Sequence, residues 1–331
     1  MKVLINFILI FLPSFLQVPI RRIIGQNIGV GSKIKFGTLL RSQTVNIGNN
    51  VIIGPFCYIH TEKLIIGDKS SIKALSVIST RIVQLGKYVH IAPLSIISSE
   101  FTENSRIDIG DHSRIFPFCW LDSGEGIFIG QNVGIGGHSL IFTHGIWPNY
   151  IDGGPVNYGP VTIKDNVWLP WRIFILPNVE IGENSIVGAN SLVNKSFPKN
   201  VLLGGSPAKI LKENIADEIS FEQKRERSNE ILVNFSRYIH FKLKIESQFE
   251  NNKLVFNNFK IVIDDVSSVN RGDLLFIVNS DLNHEGEINL NKKGISVLNH
   301  KEKNIRLVNK NIVLVHFITY LRKYGIRLYI N

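Results

Sequence analysis

Between about Ile28 and Val193 an aliphatic residue returns every six positions, often with Gly behind it. Ile47-Gly48, Ile53-Gly54 and Ile59 form one clean run; Ile129-Gly130, Ile135-Gly136 and Ile141 a second; Ile181-Gly182, Val187-Gly188 and Val193 a third. An amphipathic helix repeats its apolar stripe every 3.6 residues and a strand every two, so neither produces a six-residue beat. A short strand and a tight turn, stamped out repeatedly, does; three such hexads close one triangular coil of a parallel β-helix. Eight coils thread through Ile28, Ile47, Ile66, Leu85, Ile109, Ile129, Ile163 and Ile181. Stacked about 4.8 Å apart, they make a prism on the order of 40 Å long, each coil held by its neighbours. The expected fold class is therefore mainly β.

The fourth residue after a lead aliphatic is usually small: Thr44, Cys57, Cys119, Ser139 and Ser191 stand there. Both cysteines read as interior fillers. Two cysteines in 331 residues supply no disulfide framework and suit a reducing compartment. No CxxC and no zinc-ligand spacing occurs, so no metal is expected. The net charge of +10 suits anionic partners, cofactor phosphates or headgroups. No dense basic run or reader motif points to nucleic acid.

Within the N-terminal segment 1–24, residues 3–20 are almost wholly apolar, preceded by Lys2 and followed by Arg21 and Arg22, with Pro13 and Pro19 interrupting a marginal spanning length. No small-residue cleavage site follows. Two readings stand side by side: a helix that caps the first coil, and an interfacial helix making peripheral contact with the inner face of a membrane. The beat stops near residue 213. Residues 213–331 read as a small α+β appendage: a charged helix capped by Asn214, apolar runs at 254–256, 259–263, 274–278 and 295–298, a helix from Asn311 to Tyr324 ended by Gly325, and a last strand at 326–330. Asn283, Gly286, Asn289 and Gly294 mark its turns.

One interruption of the beat carries chemistry. After Ile141 the next coil is due near residue 147, but THGIWPNYIDGGPVNYGP intervenes before Val161 and Ile163 resume it. A long excursion from a rigid scaffold is where function concentrates. His144 at its root is placed to be a general base, and Trp147, Tyr150, Asp152 and Tyr158 are candidates for contacting a substrate.

The run from THG through YGPVTIKDNVW and ILPNVEIGENSIVGANSLVNKSFP to GGSPAKIL resembles the hexapeptide-repeat acyltransferases, sugar and polysaccharide O-acetyltransferases in particular, over roughly residues 25–212. The resemblance implies a left-handed β-helix, a homotrimer, and acetyl-CoA as acyl donor bound between adjacent subunits. It implies a catalytic His at His144 and the family's tryptophan at Trp168. It places an oxyanion-stabilising backbone N–H at Trp171, a backbone contact to the pantetheine arm at Ala189, and phosphate-binding cations at Lys195, Lys209 and Lys212. The chain departs from the family's VxIGDNVWIG at Lys164 and Pro170, both Gly there, and carries a large Trp171 where small residues are usual. Pro170 has no N–H to donate. The expected activity is acyl transfer to a sugar hydroxyl of a surface polysaccharide or its lipid-linked precursor, in the cytoplasm. The alternatives are N-acetylation of an amino sugar or small xenobiotic, and a non-catalytic scaffold whose site was lost at Pro170 and Trp171.

Overall fold

The computed structural model describes residues 8–145, 147–215, 219–250, 253–256, 259–264, 275–279, 295–299, 304–306, 312–326 and 329–330. The chain divides into two compact units, Met1–Asp217 and Glu218–Asn331.

The first unit is a parallel β-helix with three faces. Face 1 carries the lead residues Ile28, Ile47, Ile66, Leu85, Ile109, Ile129, Ile163 and Ile181, paired in parallel in that order. Face 2 runs from Lys33–Ile34 to Ile186–Val187 and gains a ninth parallel strand, Val201–Gly205, closed by an antiparallel partner, Ala208–Glu213. Face 3 runs from Leu39 through Tyr58, Val77, Ile96, Trp120, Leu140 and Phe174 to Leu192. Most strands are two to four residues long, but Leu39–Ile47 and Tyr58–Ile66 run continuously over the edge between faces 3 and 1. Thr44 therefore lies exposed on a strand, not in the interior position its spacing suggested.

Each face points one residue inward, so Ile, Val and Leu stack in columns that form a single core. The Gly that follows a lead residue has a steric cause: a Cβ on Gly67 would lie 2.6 Å from the backbone of Gly86 in the next coil. The turns put one residue per corner in the left-handed region, mostly Asn in the later coils (Asn132, Asn166, Asn178, Asn184 and Asn190), the residue type that tolerates it best after Gly. Cys57 and Cys119 are buried fillers; their thiols approach the carbonyls of Lys73 (3.0 Å) and Gly136 (3.2 Å). Burial pushes the Cys119 thiol up to about 11, which leaves it inert.

The N-terminal segment belongs to this unit. Helix α1, Ser14–Ile23, starts after Pro13 and closes the open end of the first coil. Val18 joins the core, the Ser14 hydroxyl accepts from the Ile34 N–H at 3.0 Å, and Ile10 accepts from Gly37. Among the described residues no helix is long and apolar enough to cross a membrane.

In the second unit helix α2, Phe221–Leu243, is capped by Ser220 in a reciprocal box with Gln223. Asn214 instead ends the preceding hairpin in a left-handed conformation. A seven-stranded sheet follows, five antiparallel pairings and a final parallel one. Its strands take up the four apolar runs, and Tyr329–Ile330 the end of the last expected strand. Helix α3, Ile312–Leu321, ends through a short 3-10 turn at Gly325. Phe235, Leu254, Ile261 and Phe317 make a separate core. The turn positions Asn283, Gly286, Asn289 and Gly294 lie outside the described residues.

Candidate active site

His144 sits at the edge between faces 3 and 1, one turn past Ile141 in the sixth coil. The excursion leaves the prism there as a short antiparallel ribbon, His144–Gly145 against Asn157–Tyr158. Asn178 in the next coil pins the ribbon by donating to the Tyr158 carbonyl at 2.7 Å, and the Gly159 N–H donates to the Thr143 carbonyl. The His144 and Tyr158 rings stack with 22° between their planes, and Phe142 meets His144 edge-on. The imidazole is therefore held on a rigid element with one side open.

Asp122, from the coil below, decides which nitrogen is open. Its Oδ1 lies 3.0 Å from His144 Nδ1. An ionised carboxylate only accepts, so Nδ1 carries the proton and Nε2 is left as an acceptor. The carboxylate is largely buried and is itself held by the Thr143 hydroxyl at 3.1 Å and the Gly124 N–H at 3.3 Å. Thr143 in turn accepts from the Glu125 N–H at 3.0 Å. The pair opens on a cleft of about 270 Å3, walled by Glu100, Thr102, Glu125 and Tyr158. A lining this rich in carboxylates and hydroxyls suits a ligand with several hydroxyl groups.

Trp147, Tyr150 and Asp152 are not brought to this cleft. Trp147 is 96% exposed, Tyr150 projects outward, and Asp152 accepts from Asn149 within the loop. Asp122, Glu100 and Thr102 are additions the spacing did not disclose.

The remaining candidates gather elsewhere. Trp168 points outward from face 2, over Gly134 and edge-on to Phe116 at 6.0 Å. Trp171 occupies the edge between faces 2 and 3, its ring over Gly137 and 5.8 Å from that of His138. Ala189 stands one coil above it, and among the described residues neither its N–H nor that of Trp171 donates to a protein acceptor. Lys209 and Lys212 are exposed on the closing hairpin that continues face 2. Lys195 lies on the His144 edge two coils on, its ammonium 5.7 Å from the Phe197 ring. Lys164 points outward and pairs with Glu180 at 3.1 Å. A single chain thus holds these candidates in two separate groups: His144 and Asp122 on one edge, Trp168, Trp171, Ala189 and the hairpin lysines on face 2 and its far edge. Among the described residues no group of three or more His, Cys, Asp or Glu is placed to hold a metal ion.

No family model matches the chain. Among curated proteins it is 31% identical over 132 residues to the galactoside O-acetyltransferase of Escherichia coli, a match covering 32% of this chain and 63% of that one. It is 29% identical over 140 residues to WcaF of Escherichia coli, named as a colanic acid biosynthesis acetyltransferase, covering 41% of this chain and 71% of that one. The chain therefore spans just under two thirds of the first protein's length and slightly more of the second's. Among solved structures, a hexapeptide-repeat-containing acetyltransferase from Vibrio cholerae is 32% identical, with 40% of this chain and 74% of that one covered and a TM-score of 0.35. That protein has also been solved with acetyl coenzyme A. With the hexad beat resolved as stacked parallel coils, and a hexapeptide-repeat acetyltransferase among the sequence relatives, the chain belongs to the hexapeptide-repeat acyltransferases.

Proposed function

We propose that the protein transfers an acetyl group from acetyl-CoA to a sugar hydroxyl of a surface polysaccharide or its lipid-linked precursor, in the cytoplasm. The observation that carries this reading is the Asp122–His144 pair at the mouth of a polar cleft. An alcohol is a poor nucleophile until its proton leaves. His144 Nε2 takes that proton as the alcohol oxygen attacks the thioester carbonyl. The carbonyl becomes an oxyanion, which a fixed N–H stabilises; the Trp171 N–H is the candidate. Collapse breaks the C–S bond, and the proton passes from His144 to the departing thiolate. No covalent enzyme intermediate is involved. Galactoside and colanic acid acetyltransferases among the relatives support a sugar acceptor.

Read as two half-sites, the two groups of candidates call for a second copy of the chain, and face 3 supports one. Its outward column, Leu39, Tyr58, Val77, Ile96, Trp120, Leu140, Phe174 and Leu192, is apolar from end to end. The matching column on face 1, with Asn27, Asn46, Gln84, Asp108, Thr162 and Glu180, is mostly polar. An apolar face of this extent is a subunit contact. We assign the protein as a homotrimer with its sites between subunits. Trp120→Glu is expected to yield monomers in sedimentation equilibrium and to abolish turnover; an unchanged mass removes face 3 from the interface.

Calorimetric titration of acetyl-CoA into the protein, followed by thiol-release assays with hydroxyl and amine acceptors, tests the reading. Saturable binding and release with hydroxyl acceptors support it. Release with amines alone reassigns the protein to N-acetylation, and absence of binding reassigns it to a scaffold. Lys209→Ala with Lys212→Ala is expected to weaken acetyl-CoA by roughly 10-fold or more, the usual loss for charge-assisted hydrogen bonds. Equal affinity would make those lysines surface decoration.

A further inference from the structure

The end of the prism closed by α1 breaks a rule of repeat proteins. A terminal cap covers the core with one side and shows water a polar one. The inner side of α1 conforms: Val18 and Leu9 are buried. So is Arg21, whose guanidinium lies 3.5 Å from the Leu40 carbonyl. The outer side does not. Phe15 is 74% exposed and Ile23 83%, with Phe11 and Leu16 beside them. Val30, 76% exposed, and Phe36 continue the apolar surface onto the first coil. Between Phe15, Val18 and Pro19 of the helix and Lys33, Lys35 and Phe36 of the coil runs a groove of about 610 Å3.

The charge of this end is one-sided as well. Glu62 is the first acidic residue of the chain, whereas residues 8–61 contain Arg21, Arg22, Lys33, Lys35 and Arg41. Lys33 and Lys35 are exposed beside the apolar groove. Arg22 is exposed too, with its guanidinium turned onto the carbonyls of Ile28 and Gly29.

We propose that this end is a docking surface for an anionic lipid bilayer. Helix α1 lies in the plane of the interface, Phe15 and Ile23 enter the boundary of the acyl chains, and Lys33 and Lys35 meet headgroup phosphates. Apolar area alone would suit another protein; a fringe of cations with no carboxylate to answer it selects an anionic surface. Two such ends meeting each other would set the lysines against their own copies. Docked through this end, the prism stands away from the bilayer. His144 is on the sixth coil, five steps or about 24 Å along the axis from the first. On the acyl-transfer reading, on which this last step rests, the acceptor is a sugar several residues out from a lipid anchor rather than the one attached to it.

Co-sedimentation of the full-length chain with vesicles tests the docking. Vesicles of phosphatidylcholine with one third phosphatidylglycerol are expected to bind the protein, and vesicles of phosphatidylcholine alone to bind it weakly. Lys33→Gln with Lys35→Gln is expected to lower partition by roughly 20–30-fold, the worth of two surface cations at an anionic membrane. Phe15→Ser with Ile23→Ser is expected to lower it by on the order of 10-fold or more. All four side chains are exposed, so melting temperatures should hold. Equal binding to both vesicle types, or unchanged partition of both variants, overturns the proposal. So does a variant that splits a larger assembly in gel filtration, which assigns the patch to chain–chain contact. Turnover of a water-soluble acceptor, measured in parallel, keeps the two readings apart: lost binding with intact turnover in the variants supports docking, while absent turnover in every form strikes at acyl transfer and leaves the partition result standing.

Discussion

His144→Ala is expected to lower kcat/KM for acyl transfer by on the order of 10²–10⁴-fold, the range in which positioned general bases contribute. Acetyl-CoA affinity should stay at the wild-type value, because the imidazole faces the cleft walled by Glu100, Thr102, Glu125 and Tyr158 and not the face that carries Trp171 and the hairpin lysines. The side chain is half-exposed and its loss empties no core position, so a folded protein is expected. Activity retained within a few-fold would remove His144 from the mechanism and leave the cleft as a binding feature.

What was legible in the residues follows from which interactions are local. The hexad period is set by one strand and one turn, and it exposed the fold, the lead residue of all eight coils and the place of the interruption. His144 stood out because a motif and a break in the beat coincide on it. Asp122 did not, although it is the residue that sets the state of His144. It lies 22 positions upstream, and the excursion at Glu100 and Thr102 changes the coil length just before it. Only the register, Ser98 beside Asp122 on face 3, shows that its side chain rises toward the Thr143 turn. Trp147, Tyr150 and Asp152 show the opposite: polar and aromatic residues near His144 in sequence lie out in solvent once the loop leaves the prism. The helix cap was misplaced from Ser220 to Asn214 because either residue can cap, and only the Ser220–Gln223 box satisfies two N–H groups at once. Pro170 reads differently in three dimensions as well. It stands in the column of Gly136 and Gly188, where it removes a donor but leaves the following N–H, that of Trp171, without an acceptor among the described residues.

Asp122→Asn should lower kcat/KM by roughly 10–100-fold, the worth of a hydrogen bond to a charged group, with little change in size or packing. His144 Nδ1, the Thr143 hydroxyl and the Gly124 N–H all converge on one carboxylate oxygen, Oδ1. An amide oxygen in that place still accepts from all three, so the NH2 falls on the Oδ2 side and the proton stays on Nδ1. What is lost is the charge that stabilises the imidazolium formed as His144 takes the acceptor's proton. The fold should survive, since the replacement is isosteric and removes a partly buried charge. The test is therefore a split between observables. Melting temperature and acetyl-CoA affinity should match wild type while turnover falls, and nitrogen NMR of the imidazole should show the proton still on Nδ1. Turnover within a few-fold of wild type would mean that Asp122 only braces the Thr143 turn. In that case Thr143→Val, which removes the hydroxyl that donates to Asp122 and accepts from the Glu125 N–H, should do the greater harm. If Asp122→Asn loses turnover with the tautomer unchanged, the carboxylate's charge is what supports the base, and the edge between faces 3 and 1 is where the acyl group changes hands.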